Sequence, residues 1–320
     1  MSGERVHRAG HSVEVASPAE AVYQLIADAV QWPLLFPATV HVEPLDADGR
    51  SQRLRLWERA DGRVACRLSH RVLDPHRRRI TFRRLDPPAP AGSMTGIWGV
   101  QERDGGGSLL TLLHEFTLPG DRPDEAARIA RATGEATRTA LARLKHLAEH
   151  AGTRSALQLA FEDSLRVNGP PELVYDFLYR VGDWPGLVPH VERLDWVEQA
   201  PGVQVMSMDT RAAGGTVSTT ESVRMCFPHA GRIVHKQTAP AALVAAHTGE
   251  WSVLPDERGV TVVAEQRMLL CEQAVRDLPG DGPAASIALA RRRVREAVGR
   301  RSTATLQLAK RHAESAVRML

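Results

Sequence analysis

The chain has 320 residues, of which 43% are hydrophobic and 25% are charged, and this composition excludes a disordered chain. The formal charge of +3 is small, and its cations are mostly arginines without interleaved aromatic residues, so no nucleic-acid partner is expected. No apolar run approaches the roughly 18 residues of a membrane span, and the N-terminus lacks the apolar segment of a signal peptide, which predicts a cytoplasmic protein without a membrane partner. The three cysteines show no metal-ligand spacing, so neither disulfides nor a metal site is expected.

The same pattern occurs twice along the chain. Residues 12–37 read SVEVASPAEAVYQLIADAVQWPLLFP, and residues 164–189 read SLRVNGPPELVYDFLYRVGDWPGLVP, at a constant offset of 152. The match continues at an offset near 153 as far as Trp98 and Trp251. A repeat of this length predicts a tandem duplication of a domain of about 150 residues. We place the domains at 1–151 and 157–320.

The elements of one copy can be predicted in chain order. Ser17-Pro18-Ala19-Glu20 shows a capping-box pattern, which predicts a helix that is followed by a Trp-Pro turn. A long helix is predicted at the end of each copy, near 124–151 and 284–317. The predicted strands of the first copy are 11–16, 40–46, 51–59, 63–73, 77–84, 94–103 and 108–118. We therefore expect an α+β fold with a curved seven-stranded antiparallel sheet around one long helix, enclosing either a packed core or a ligand cavity.

This element order, the Trp-Pro turn and residues 69–75 (SHRVLDP) together resemble the polyketide aromatase/cyclases of bacterial type II polyketide synthases. Residues 93–98 (SMTGIW) and 113–116 (LHEF) extend the resemblance, and the tandem repeat resembles the di-domain members. The resemblance implies two helix-grip domains of the START and Bet v 1 type. It also implies an enzyme that directs aldol cyclisation of the first ring and its dehydrative aromatisation. The expected partners are an acyl carrier protein bearing the poly-β-ketone on phosphopantetheine and other synthase subunits, and no cofactor is expected.

Arg71 is the residue that the resemblance marks as essential. Aldol cyclisation builds negative charge on an enolate oxygen, and a guanidinium can hold that oxygen through a fixed fork of donors. Strand alternation alone places Arg71 with Arg63, Arg67 and Ser69 on the face opposite the apolar residues, which would be the solvent face. The resemblance instead implies a polar cavity. Ser69 shares the face of Arg71, and its hydroxyl would contact either the substrate or the guanidinium.

His114 shares an inward strand face with apolar residues, so it is either a core histidine or a proton-transfer group. Arg224 is the counterpart of Arg71 in the second copy, whereas the position offset by 153 from His114 is Arg267. This asymmetry predicts that proton transfer belongs to the first copy. The candidate cavity-lining residues, each of which could also be a core residue, are Trp32, Trp57, Phe82, Trp98, Ser222 and Trp251.

Two other functions are compatible with the same pattern. Helix-grip domains also carry hydrophobic ligands without changing them, so a non-catalytic START-like binding protein is one alternative. The other is a scaffold in which one copy supports its neighbour. The chain keeps an arginine at the same place in both copies, Arg71 and Arg224, and a lipid carrier would need only one polar anchor.

Overall fold

The computed structural model describes residues 5–60, 62–87, 89–120, 122–211 and 214–317. The chain divides into two compact units, Met1–Thr153 (unit 1) and Arg154–Leu320 (unit 2). The predicted domain limits at residues 1 and 320 lie outside the described residues. No helix in the described ranges combines the length and the apolar character needed to cross a membrane.

Unit 1 consists of one antiparallel sheet, two short helices before its second strand and a long helix after its last strand. The strands lie in the order β1-β7-β6-β5-β4-β3-β2, so each hairpin partner is a neighbour and only β1 is added from a distance. The elements are β1 (Arg5–Val15), α1 (Ala19–Ala27), α2 (Trp32–Leu35), β2 (Thr39–Ala47), β3 (Ser51–Ala60), β4 (Arg63–Asp74), β5 (Arg79–Arg84), β6 (Ser93–Glu102), β7 (Ser108–Leu118) and α3 (Pro123–Glu149).

Unit 2 repeats this arrangement, with the strand order β8-β14-β13-β12-β11-β10-β9. A helix, α4 (Ala151–Leu157), occupies the segment that we left between the two predicted domains. The remaining elements are β8 (Gln158–Val167), α5 (Pro171–Tyr179), α6 (Trp184–Leu187), β9 (Val191–Ala200), β10 (Val203–Arg211), β11 (Val217–Phe227), β12 (Arg232–Ala239), β13 (Val244–Asp256), β14 (Gly259–Leu270), α7 (Glu272–Arg276) and α8 (Pro283–Val317).

The predicted fold class is confirmed, and the strand limits agree within a few residues except at the start of the chain. There β1 begins at Arg5 because the polar segment 5–10 pairs with residues 113–118 of β7, a long-range contact that no local pattern predicts. The prediction of a capping box at residues 17–20 is wrong. Helix α1 begins at Ala19 with Pro18 as its N-cap, and the Glu20 side chain accepts a hydrogen bond from Gln24 instead. The Ser17 carbonyl accepts a hydrogen bond from the Ser108 hydroxyl.

The core of each unit lies between the inner face of the sheet and its helices. In unit 1 the apolar stripe of α3, including Leu141 and Leu144, packs with strand residues such as Ile80 and Leu110. Apolar residues recur every three or four positions on α3 and at alternate positions on β7, so one stripe and one face meet. In unit 2 Leu306 of α8 takes part in the equivalent core. The face of the sheet turned towards the long helix is called the inner face below.

Candidate active site

Arg71 lies on the inner face of unit 1 and is only 3% exposed. Its β4 neighbours alternate as a strand requires, since Leu73 is also buried while Val72 is 42% exposed. The interior position implied by the resemblance is therefore confirmed, and the solvent position suggested by alternation alone is wrong. The alternation pattern itself is real, but hydrophobicity misidentifies which face is inside because Val72 and Cys66 are the exposed residues.

The contacts of Arg71 hold its side chain against the end of α1. Its Nη2 donates hydrogen bonds to the carbonyl oxygens of Ile26 (2.9 Å) and Ala27 (3.1 Å). Its guanidinium carbon lies 5.1 Å from the ring centre of Trp32, the tryptophan of the Trp-Pro turn. Both contacts suit a cation, because helix C-terminal carbonyls and an aromatic face carry partial negative charge. The repeated Trp-Pro turn thus orients the arginine.

Two other donors of Arg71 are left over. Its Nε and Nη1 are buried, and neither has a hydrogen-bond partner among the described residues. Burial lowers the pKa of Arg71 to about 10, so the group stays protonated at neutral pH. A buried N–H without a partner costs free energy, and such groups in a folded protein often face a ligand site. The charged Arg71 guanidinium therefore turns Nε and Nη1, which have no described partner, into the interior of unit 1.

Arg84 is a second inner-face cation that the sequence analysis missed. Register pairs Ser69 with Arg84 and Arg71 with Phe82 across β4 and β5, so all four residues share the inner face. The Arg84 Nη2 is buried without a hydrogen-bond partner in the described part of the chain. Ser69 makes no hydrogen bond to Arg71 within those same residues. Arg84 lies two positions after Phe82 in the same strand, so strand alternation could have placed it on the same face as Phe82.

His114 lies on the inner face of β7 beside these groups. Its ring meets that of Phe82 edge to face at 5.5 Å, and its Nδ1 is buried without a hydrogen-bond partner among the described residues. Burial, helped by the charge of Arg84, lowers the pKa of His114 to about 4. The imidazole is thus neutral at pH 7, so it can act as a general base but not, in this state, as a general acid. A core histidine fixed through Nδ1 is excluded.

The candidate aromatic residues of unit 1 divide between the two faces of the sheet. Trp32, Phe82 and Trp98 pack against the inner core. Trp57 pairs in register with the exposed Cys66, so it lies on the outer face, where its ring contacts Arg55 at 5.8 Å. The prediction that Trp57 lines the same cavity as Arg71 is wrong, because its position is odd in a strand whose even positions face inward.

Arg224 repeats the anchoring of Arg71 inside unit 2. It is 4% exposed, its Nη2 donates to the Leu178 carbonyl near the end of α5, and its guanidinium carbon lies 5.3 Å from the Trp184 ring centre. The difference lies in Nη1, which donates to Oε1 of Gln204 at 2.9 Å. Gln204 in turn donates from Nε2 to the Tyr179 carbonyl at 3.2 Å. A side-chain amide therefore occupies a donor that stays open in unit 1.

The chain matches the family described as "Polyketide cyclase / dehydrase and lipid transport" twice, over residues 6–149 and 167–280. It is 36% identical over 291 residues to the granaticin polyketide synthase bifunctional cyclase/dehydratase of Streptomyces violaceoruber, covering 91% of this chain and 89% of that protein. It is also 36% identical over 307 residues to the actinorhodin polyketide synthase bifunctional cyclase/dehydratase of Streptomyces coelicolor, with 92% and 93% coverage. The chain belongs to this family of bifunctional polyketide cyclase/dehydratases.

Solved structures extend the family likeness to the whole fold. The di-domain aromatase/cyclase BexL from the BE-7585A biosynthetic pathway superposes with a TM-score of 0.87 at 40% identity, covering 96% of this chain and 99% of BexL. The di-domain aromatase/cyclase StfQ from the steffimycin pathway gives a TM-score of 0.80 at 30% identity, with 96% and 99% coverage. The expected enzyme class, a polyketide aromatase/cyclase, is confirmed.

Arg267 does not occupy the position of unit 2 that is equivalent to His114 in unit 1. Register pairs Gly96 with His114 in unit 1 and Gly249 with Gln266 in unit 2, so Gln266 occupies the equivalent position. Arg267 is exposed on the other face and forms an ion pair with Glu265. The predicted equivalence fails because the β13–β14 hairpin is one residue shorter than the β6–β7 hairpin, which changes the offset.

The inner face of unit 2 also holds two histidines that the sequence analysis missed. His235 occupies the position of Phe82, and His247 that of Met94. They line a cavity of about 130 Å³ together with Ser222, Arg224, Trp251 and Gln266. The structure thus brings the predicted second-copy residues together at one place. Strand β14, which matches β7, carries Gln266 and no histidine, but His235 on β12 and His247 on β13 give unit 2 inward histidines of its own.

Proposed function

We propose that this chain closes the first ring of a poly-β-ketone by intramolecular aldol condensation and then removes water to make the ring aromatic. The substrate would arrive on the phosphopantetheine arm of an acyl carrier protein. The observation that carries the proposal is the pair of buried, open donors on Arg71, Nε and Nη1. An enolate or ketone oxygen is a ligand that such donors fit, and a cavity for a polyketone must supply donors inside an apolar wall.

Ring closure would begin with a proton transfer to His114. The methylene between two ketones is an acidic carbon, so a neutral imidazole is a sufficient base. The electron pair left on the substrate becomes an enolate, whose oxygen would accept hydrogen bonds from Arg71. The enolate carbon then attacks a ketone further along the chain, and the new alkoxide regains the proton from His114. No proton is consumed overall, and the histidine returns to its neutral form.

Burial makes these roles effective. Arg71 is buried, so its charge would act on the enolate through a medium of low polarity. The anchoring contacts to Ile26, Ala27 and Trp32 hold the guanidinium in place before the substrate arrives, so little reorganisation is needed at the moment of reaction. Phe82 and Trp98 lie on the inner face with part of their surface accessible, and they would help hold the flexible chain in one folded shape.

The direct test uses the purified full chain in a reconstituted minimal type II polyketide synthase, with all aromatic and shunt products quantified. Arg71→Ala should lower the correctly cyclised product by on the order of 10²–10³, the usual effect of losing one preorganised oxyanion donor. Arg71→Lys should recover little, because a point charge lacks the bidentate fork. Arg77→Ala is the matched control, since Arg77 is exposed. Unchanged product from Arg71→Ala would overturn the proposal.

A second measurement separates binding from chemistry. His114→Ala should slow the formation of aromatic product while leaving the affinity for a carrier-bound substrate analogue nearly unchanged, because the proposal gives His114 a proton-transfer role only. A carrier protein would behave differently. It would bind the analogue, and no variant or wild-type chain would change the product distribution of the synthase. Loss of binding and product formation in equal measure would argue that His114 shapes the interior rather than moving protons.

A further inference from the structure

The inner faces of the two units differ at several corresponding positions, and three of these involve a histidine. Phe82, Met94 and His114 of unit 1 are replaced by His235, His247 and Gln266 of unit 2, as the strand registers establish. The arginine and serine beside them are unchanged. Unit 2 therefore keeps the anchored cation and replaces two apolar side chains with imidazoles.

His247 and Gln266 hold each other in a fixed geometry. The Nε2 of His247 donates to Oε1 of Gln266 at 2.7 Å, and both side chains are buried. Burial lowers the pKa of His247 to about 4, so the ring is neutral at pH 7. Its ring meets that of His235 edge to face, with 5.4 Å between centroids. His247 and Gln266 therefore form a rigid support against one side of His235.

The imidazole of His235 makes no comparable hydrogen bond to a described residue. Neither of its ring nitrogens has a hydrogen-bond partner within residues 5–60, 62–87, 89–120, 122–211 and 214–317, and the ring lines the cavity of unit 2. Burial, with the nearby His247 and the charge of Arg224, places the pKa of His235 well below its ordinary value. The ring is thus a neutral base open to the cavity, opposite Arg224 in the register of β11 and β12.

Gly249 makes this position possible. A Cβ atom there would come within 2.4 Å of Cε1 of His235, so only glycine lets the ring lie across β13. Gly96 does the same for Phe82 in unit 1, where a Cβ atom would lie 2.2 Å from Cζ. The two units thus share a prepared place for a flat ring. Only in unit 2 can that ring carry a proton.

We infer that the cavity of unit 2 is a separate dehydration site, in which His235 moves the proton that must leave carbon and reach the departing hydroxyl. This inference rests on the proposed function, because it divides the two steps of that function between the units. The substrate class is a β-hydroxy ketone produced by ring closure. Arg224 and Ser222 line the same cavity and would face the ketone oxygen.

The step balances with one histidine. The neutral ring of His235 accepts a proton from the carbon between the ketone and the hydroxyl-bearing carbon, and the C–H electron pair forms an enolate near the charge of Arg224. The enolate then forms the C=C bond as the C–O bond breaks, and the imidazolium of His235 gives its proton to the departing oxygen. One water molecule leaves, and His235 is neutral again. No oxidant or reductant is needed.

The test replaces His235 by the residue that unit 1 carries at the same place. His235→Phe keeps a flat ring in the prepared position, and the full chain is assayed in the reconstituted synthase with cyclised products separated by mass, since the dehydrated and hydroxylated forms differ by one water. We expect the hydroxylated cyclic intermediate to accumulate and dehydration to slow by on the order of 10²–10⁴, the usual range for a general acid-base group. The matched control is His229→Phe, because His229 is exposed outside the cavity.

Two further results bear on the inference. His247→Met, which also restores the unit 1 residue, should slow dehydration less than His235→Phe does, because it removes a support and not the proton carrier. If His247→Met is the more damaging change, or if His235→Phe yields dehydrated product at the wild-type rate with an unchanged melting temperature, the inference is overturned. A wild-type chain that neither cyclises nor dehydrates would instead overturn the proposed function, so the two failures are distinguishable.

Discussion

The two units place an arginine in the same way and surround it differently. Arg71 and Arg224 each donate to carbonyls near the end of the first helix of the unit and lie over the tryptophan of the Trp-Pro turn. In unit 1 two of the donors stay open and a second cation, Arg84, shares the inner face. In unit 2 Gln204 takes one donor, and histidines replace apolar neighbours. Duplication thus preserved the anchor and altered the chemistry around it.

This comparison separates two roles of one residue type. An arginine that fixes a helix to a sheet is structural, and one with open donors in an apolar interior can also bind an oxyanion. Arg71 has both properties, so its loss affects stability and activity together. Arg224 donates from both Nη1 and Nη2, so its contribution to the reaction is expected to come more from charge than from new hydrogen bonds.

The largest expected difference is between Arg71→Ala and Arg224→Ala. We expect Arg71→Ala to reduce correctly cyclised product far more than Arg224→Ala does, because Nη1 of Arg71 is buried without a hydrogen-bond partner among the described residues, whereas Nη1 of Arg224 donates to Gln204. Both variants should lose thermal stability to a similar degree, since both lose helix and tryptophan contacts. The measurement is a side-by-side product profile with melting temperatures. A larger loss of product from Arg224→Ala would invert the assignment of ring closure to unit 1.

The two units also differ in their buried histidines, which make the stability of the chain depend on pH. The pKa of His114 and that of His247 are lowered to about 4 by burial, and burial also places the pKa of His235 well below its ordinary value. A group whose folded pKa lies below its unfolded value takes up protons preferentially in the unfolded chain, so stability falls as the pH drops from about 6.5 towards 4. Urea unfolding of the full chain between pH 7.5 and 5 should show this loss.

The pH dependence of urea unfolding also distinguishes the two units. The double variant His235→Phe/His247→Met removes two of the buried imidazoles, and His114→Phe removes one, so the double variant should flatten the pH dependence more. Equal slopes in all three proteins would show that the acid sensitivity comes from other groups. Replacements of the exposed histidines His76 and His229 provide the matched controls.

The smallest expected effect tests the register that aligns the units. Arg267→Ala should change stability by no more than about 0.5 kcal/mol and leave the product distribution unaltered, because the Arg267 side chain is exposed and forms an ion pair with the half-exposed Glu265 carboxylate. Gln266→Ala should cost more, since it leaves Nε2 of the buried His247 without its acceptor. The reverse order of the two effects would support the alignment of Arg267 with His114.

Much of this protein follows from its sequence alone. The repeat at an offset of 152 determined the tandem organisation, and alternating runs with turn residues between them determined nearly every strand. Both signals are local or nearly so, which is why they can be recognised without a structure.

Tertiary structure decided which face of each strand is inside and which residues meet there. The position of Trp57 on the outer face, the inward Arg84 and the pair His235 and His247 depend on strand register, which is set by hairpin length and by contacts between distant segments. One residue fewer in the β13–β14 hairpin was enough to move the counterpart of His114 from Arg267 to Gln266. The period of a strand is two, so a single-residue difference reverses the direction in which a side chain points.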